Sequence, residues 1–377
     1  MVQKALLFLS PIKSTWPLLA IAVTLSCMGV LTMHPFDGGA SLAPRQLVWI
    51  LLGTVVYVVT AASDMRFVRR TPIIIVCYVA SLILLALLLI FGHSTMGAKG
   101  WFDFGLFSFQ PADFAKLVCI ALLAKYFSRR HMEIGHFGHI VVSGVYIAAI
   151  VLLILIQPDL GTAVIISSVW LGMVLVSGIP LRHLAAVFCL FLVVATSLWF
   201  FGLKPYQRAR LMNFVNPAAN IHGSGYNAYQ ATVAAGSGQL WGKGIGYGTQ
   251  SKLRFLPEYQ TDFIFAAYAE EWGFVGILIL LSLYGLLLFQ LLSISRRSAT
   301  NFDALFTMGV LILFLAHIGF HAGINLGILP VTGTTIPFMS SGGSHIVVEF
   351  GALGIIASLS RHGRSVARDQ AMQEYEG

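Results

Sequence analysis

The sequence predicts an all-α polytopic membrane protein, with about ten transmembrane helices and one large extracytoplasmic loop. Three observations carry this reading. Of the 377 residues, 57% are hydrophobic and 10% are charged, against about 25% charged in ordinary soluble domains. A water-facing surface cannot be built from so few charges. Apolar stretches long enough to cross a bilayer recur from Trp16 onward. The connections between them alternate between basic and nearly uncharged, as the positive-inside rule requires of a multi-pass chain. Disorder is excluded, because disordered chains are poor in apolar residues. Collagen-like structure is excluded because the 37 Gly and 13 Pro follow no period.

The first apolar run follows Lys4 and Lys13 and begins at Trp16. At about 18 residues it is too long for a signal-peptide core and lacks a small-residue exit, so it is read as the first span, 16–33. Further spans are placed at 45–62, 73–92, 111–127, 138–156, 159–178, 181–202, 260–295, 304–329 and 344–360. The 260–295 run exceeds one crossing, and its excess is expected to tilt or protrude. The 304–329 run holds His317, His321, Asn325 and several glycines, and is expected to be broken or to line a cavity.

With the N-terminus inside, the cytoplasmic segments carry Lys4, Lys13, Arg66, Arg69, Arg70, Lys125, Arg129, Arg130, Arg182, Arg296, Arg297, Arg361, Arg364 and Arg368. The short outside loops carry only Arg45 and Lys99. Both termini are therefore expected in the cytoplasm. Lys204, Arg208, Arg210, Lys243, Lys252 and Arg254 fall in one long outside segment, 203–259. Long loops escape the rule, so these six need another explanation. Residues 1–377 read as a single integral membrane domain without a linker. The net charge of +8 is read as topology rather than nucleic-acid affinity, since no basic–aromatic interleaving accompanies it. Cys27, Cys77, Cys119 and Cys189 lie inside apolar runs without paired spacing, which suits buried thiols better than disulfides or a metal site.

Five motifs stand out, each with two readings. In QPDLGT, Gln157 to Thr162, Asp159 follows Pro158 where a helix begins. It is either a helix cap at a tight turn or a carboxylate facing a substrate or cation. In FQPADFAKL, Asp113 and Lys116 are three apart on one helical face. They form a structural pair near a helix N-terminus, a polar site bordering a cavity, or both. In LPEYQTDFIFAAYAEEWGFVG, Asp262 is placed at the outer N-terminus of a long span. It reads as an N-cap or as an ionised carboxylate available as a general base. Glu270 and Glu271 then lie deep in the membrane and require pairing. The glycine series GKGIGYG, Gly242 to Gly248, lacks the Walker pattern and a preceding strand, so no nucleotide is expected. Its turns let backbone N–H groups and Lys243 approach phosphates. GILPVTGTTIPFMSSGGSH, Gly327 to His345, reads as a re-entrant loop satisfied by protein, or as part of a substrate groove. His317, His321 and Asn325 share one helix face, as a polar lining or interhelical hydrogen bonds rather than a metal site.

Together QPDLGT, the block from GTQSKLRFLPE through TDFIFA to AEEWGFVG, and GILPVTGTTIPFMSSGGS resemble the SEDS family (shape, elongation, division and sporulation) over about 45–360. GILPVTG and the YQRAR segment, Tyr206 to Arg210, resemble its elongation branch. Two positions depart from the family pattern. Pro111-Ala112-Asp113 stands where the family usually has Pro-Ser-Glu, and Ser341 stands where Tyr commonly precedes Gly-Gly-Ser. With Asp for Glu, the ion pair to Lys116 is expected to be looser or water-mediated.

The resemblance implies a peptidoglycan glycosyltransferase of the bacterial inner membrane. Its substrates would be lipid II and a glycan chain on undecaprenyl pyrophosphate. Asp262 matches the family's essential aspartate and would act as the general base. Arg208, Arg210, Lys243, Lys252 and Arg254, with Glu258 and Asp159, are the expected substrate-binding residues, the cations meeting an anionic leaving group. Asp113 and Lys116 would form a structural or cavity charge pair. A divalent cation, Mg or Mn, could be shared by Asp159 and Asp262. The expected protein partners are a class B penicillin-binding transpeptidase and other membrane proteins of the elongation complex. Two other classes fit the spans and charges: a lipid II flippase, and a non-catalytic scaffold of the cell-wall complex.

Overall fold

The computed structural model describes residues 15–36, 42–95, 98–105, 108–129, 137–178, 181–216, 223 and 225–376. Lys4, Lys13 and Arg130 lie outside them. Each of the ten predicted spans coincides with a helix. These are α1 (Trp16–Met33), α2 (Leu42–Ala62), α3 (Thr71–Phe91), α4 (Pro111–Ser128), α5 (Phe137–Ile156), α6 (Leu160–Val176) and α7 (Leu181–Ser197, continued by a wider turn over Leu198–Gly202). After the long segment come α11 (Ile264–Arg296), α12 (Asn301–Asn325) and α13 (Gly343–Glu376). Among the described residues, seven of these helices are long and apolar enough to cross a membrane. Of the other three, α6 and α7 have 17 residues each, and α4 carries Asp113, Lys116 and Lys125.

Local chemistry sets the helix starts. Proline occupies the first turn of α1, α3 and α4, where its missing N–H costs nothing. Asp159 caps α6, accepting from Thr162 N at 3.0 Å, and Thr300 caps α12. Small residues let helices close on one another, as membrane packing favours. A Cβ at Gly53 would stand 2.7 Å from the Phe350 ring, and one at Gly343 would stand 2.3 Å from the Trp49 ring. This is how α2 and α13 come together. Arg69, Lys125 and Arg361, all assigned to the inside, make contacts that tie helix ends together. Arg69 pairs with Asp303 at 2.7 Å, Lys125 Nζ donates to Arg69 O, and Arg361 donates to Ala62 O.

Three features differ from the expectations. A small antiparallel sheet, β1 (His93–Thr95), β2 (Ala98–Asp103) and β3 (Ser108–Phe109), follows α3. The aromatic, turn-punctuated GWFDFGLFSF stretch suits strands, so the chain is not wholly helical. The 203–259 segment is a helical layer, with α8 (Pro205–Val215), α9 (Tyr226–Ser237) and α10 (Thr249–Lys252). Ala231 and Ala234 of α9 pack with Leu256, Phe263, Ala266, Ala267 and Ile324 in a buried cluster. Finally, α11 does not tilt or protrude as one rod. It breaks at Gly273, whose φ of 66° and ψ of −166° are non-helical. The 304–329 run, expected to be broken or to line a cavity, is an unbroken helix as far as Asn325, where α12 ends short of the run.

Candidate active site

Asp262 lies one residue before the N-cap of α11, which is Phe263. The expected capping role is therefore not taken. Among the described residues none donates a hydrogen bond to its carboxylate, whereas its backbone turn is held from several sides. Asn325 Nδ2 donates to Asp262 O at 3.0 Å, and Asn325 Oδ1 accepts from Ala266 N at 3.0 Å. Ser340 Oγ donates to Thr261 O at 2.9 Å, and Ser341 N donates to Gln260 O at 2.8 Å. Thr261 and Phe263 return their N–H groups to Glu258 O. A fixed backbone thus presents an uncommitted carboxylate. Gly333, at φ 74°, lies beside it: a Cβ there would be 3.3 Å from Asp262 Oδ2.

Burial is the first cause that pushes the Asp262 carboxyl up, to about 7. The neighbouring Glu258 and, less strongly, Asp159 add to the rise, and Arg210 opposes it. Asp262, Glu258, Asp159 and Arg210 therefore share one electrostatic neighbourhood. Asp159 itself is raised by burial, against its bonds from Thr162. The α8 helix docks on the turn before Asp159: Tyr206 Oη and Gln207 Nε2 both donate to Pro158 O at 3.3 Å. Docking brings Arg210, stacked 5.7 Å over the Tyr206 ring, into range of Asp262. The close packing of Gly161 against Thr332 O, where a Cβ would stand 2.8 Å away, joins the Asp159 helix to the 331–335 segment.

Of the predicted cations, Arg210 is the one whose charge acts on Asp262. Arg208 Nη2 donates to Phe200 O at 3.2 Å. Lys252 stands 5.9 Å over the Tyr247 ring, and Arg254 is exposed. Lys243 is committed to Glu270, at 2.7 Å, and to Thr249 Oγ1, at 2.8 Å. This ion pair occupies the ammonium expected to meet a phosphate. It also answers the question posed by Glu270 and Glu271. Glu270 accepts further from Thr249 and Gln250, and Glu271 accepts from Gly246 N.

Asp113 and Lys116 meet directly at 2.9 Å, both buried, so the expected looser or water-mediated contact is corrected. The pair belongs to a larger network than the sequence revealed. Ser344 Oγ donates to Asp113 Oδ2 at 3.1 Å, and His345 Nδ1 lies 3.4 Å from Asp113 Oδ1. The other face of that imidazole is 2.9 Å from Glu349 Oε1, whose Oε2 accepts from Phe338 N at 2.7 Å. Lys116 Nζ is 3.5 Å from His317 Nε2. The Nδ1 atoms of His317 and His321 then reach Thr335 O at 2.9 Å and Thr334 O at 2.7 Å. These contacts satisfy the irregular 331–342 backbone from protein side chains. Glu349 was missed, and His345 entered only as the end of the 327–345 stretch, because nothing local marks their pairing with Asp113: the signal is the packing of α13 against α4.

Among the described residues, no group of three His, Cys, Asp or Glu side chains could hold a metal ion. What this neighbourhood offers a cation is the carboxylates of Asp159 and Asp262, with Glu258 beside them.

A bundle of long apolar helices, with the Asp262 carboxylate beside Glu258, Asp159 and Arg210 at one end, defines a multi-pass membrane protein. Residues 7–365 match the FtsW/RodA/SpoVE cell cycle protein family, and the chain belongs to that family. It is 37% identical over 270 residues to the peptidoglycan glycosyltransferase MrdB of Escherichia coli K12, covering 71% of this chain and 72% of that one. It is 35% identical to the probable peptidoglycan glycosyltransferase FtsW of Escherichia coli O6:H1 over 283 residues, 74% of this chain and 66% of that one. A solved chain from a peptidoglycan synthase complex that coordinates polymerization and crosslinking superposes with a TM-score of 0.79 at 31% identity, covering 92% of this chain and 98% of that one. The rod shape-determining protein RodA of Thermus thermophilus superposes with a TM-score of 0.69 at 29% identity, covering 92% and 96%.

Proposed function

We propose that this chain is a peptidoglycan glycosyltransferase that joins lipid II disaccharides into β-1,4 glycan strands during cell elongation, with Asp262 as general base. The observation that carries the proposal is the Asp262 carboxylate itself, held by its backbone and, among the described residues, given no hydrogen-bond donor; burial pushes it up to about 7. A base tuned near the working pH is the useful one. The acceptor sugar hydroxyl attacks the anomeric carbon of the donor, and its proton passes to Asp262. The bond from that carbon to the pyrophosphate oxygen breaks with inversion. The polyprenyl pyrophosphate leaves as an anion.

Arg210 is the cation best placed to meet that anion, with Arg208 on the same helix. A divalent cation fits as a guest of the substrate phosphates rather than of a protein cage. Asp159 and Asp262 would hold it, as Mg sites with one or two carboxylates commonly do, and it would neutralise phosphate charge. Polyprenyl tails suit apolar recesses between helices, such as the cavity of about 370 Å³ lined by Trp49, Leu52, Phe109, Val347 and Val348. The Asp262 face then lies outside the bacterial cytoplasmic membrane, both termini lie inside, and a class B transpeptidase is the working partner. The test is incubation of the purified chain with lipid II, alone and with that transpeptidase. Lysozyme-sensitive polymer is expected; none under either condition refutes the activity.

A further inference from the structure

The break in α11 has an unusual repair. In a continuous helix Phe274 N would bond Glu270 O, and Val275 N would bond Glu271 O. The left-handed Gly273 abolishes both bonds and orphans four backbone groups. Residues 239–244 satisfy all four. Phe274 N donates to Gln239 O at 2.8 Å and Val275 N to Leu240 O at 3.1 Å. Lys243 N donates to Glu270 O at 2.9 Å and Gly244 N to Glu271 O at 3.0 Å. The loop is spliced into the helix ladder, and the Lys243–Glu270 ion pair fastens it.

This splice sets the depth of the loop tip. From Phe274 to Arg296, α11 extends about 33 Å at 1.5 Å per residue, against a hydrocarbon core of about 30 Å. Phe274 therefore stands at the edge of that core, and Leu240 and Trp241 stand beside it. Trp241 is 79% exposed and Tyr247 69%. Phe274, Leu278 and Ile279 of the membrane-spanning half of α11 are exposed as well, and the bond from Val275 N to Leu240 O sets the residue before Trp241 against the start of that half. Residues 238–255 contain no Asp or Glu, and Lys252 and Arg254 flank the apolar tip. Aromatic rings with adjacent cations are the composition that membrane–water interfaces favour.

We infer that the 240–247 tip is an interfacial anchor, seating Trp241 and Tyr247 in the leaflet on the Asp262 side with Lys252 and Arg254 at the lipid phosphates. The test uses the full chain in vesicles of phosphatidylcholine and phosphatidylglycerol, with and without bromine near the top of the acyl chains. The tryptophan emission of Trp241→Phe is subtracted from that of the wild type. The Trp241 component is expected to be blue-shifted, quenched by the bromolipid and shielded from aqueous iodide. Tyr247→Trp in the Trp241→Phe background should show a second component of the same kind. Iodide quenching with no bromolipid effect at either position would overturn the inference. Iodide quenching relieved only on adding the transpeptidase would overturn it too, and would assign the tip to a protein surface instead.

Discussion

Replacing Glu258 by glutamine should move the acid limb of the polymerisation rate toward lower pH. The Asp262 carboxyl is raised from 3.8 to about 7, with burial the largest cause and Glu258 the next. Glu258 thus contributes less to the rise than burial does, and removing its charge should lower the limb by about one pH unit. At pH 5.5, a base at about 7 is roughly 3% ionised and one at about 6 roughly 24% ionised, a gain of about eightfold. The sign follows from the chemistry. A base acts when deprotonated, so the rate rises through its pKa and is flat above it. Glutamine keeps the amide oxygen that can accept from Thr261 Oγ1, as Glu258 does at 3.1 Å, so the turn should survive. The assay is polymer formation from lipid II between pH 5 and 9, read as the ratio of the pH 5.5 and pH 8 rates so that altered substrate affinity cancels. Arg210→Gln should move the limb the opposite way. A limb that stays in place in both variants refutes Asp262 as the titrating base.

Glu270→Ala removes the acceptor of Lys243, Thr249 and Gln250, and should cost roughly 2–4 kcal/mol, seen as a lower melting temperature in detergent. Gly242→Ala, at φ 79° and with a Cβ 2.1 Å from Glu271 O, should disturb the same splice and be destabilising by more than about 1 kcal/mol. Lys116→Met leaves Asp113 buried without its ammonium and should cost about 3–5 kcal/mol, much of it recovered by adding Asp113→Leu; thermal unfolding of the four-protein cycle measures the coupling. Gly333→Ala places a methyl against Asp262 Oδ2 at a left-handed φ, and should slow polymerisation more than it lowers the melting temperature.

The spans were legible because each is a long apolar run, and a lipid-embedded backbone has few conformations open to it. Asp159, directly after Pro158, and Asp262, in the turn that follows Pro257, were legible from their positions at the start of apolar runs. What escaped was whatever depends on residues distant in sequence. The break at Gly273 has no local signal, since it is stable only because residues 239–244 supply the missing bonds. The partnership of His345 and Glu349 with Asp113 needs α13 to lie against α4. Lys243 reads as a free cation until Glu270 is found beside it. The sheet at 93–109 was passed over because its strands are short and set between helices.

The most direct measurement compares wild type and Asp262→Asn, reconstituted in liposomes with lipid II and its transpeptidase, scoring polymer, lipid translocation and melting temperature together. The account predicts that the variant folds, melts no lower than the wild type because a costly buried charge is gone, leaves lipid movement unaltered and yields no glycan. Undiminished glycan from a properly folded variant would contradict it.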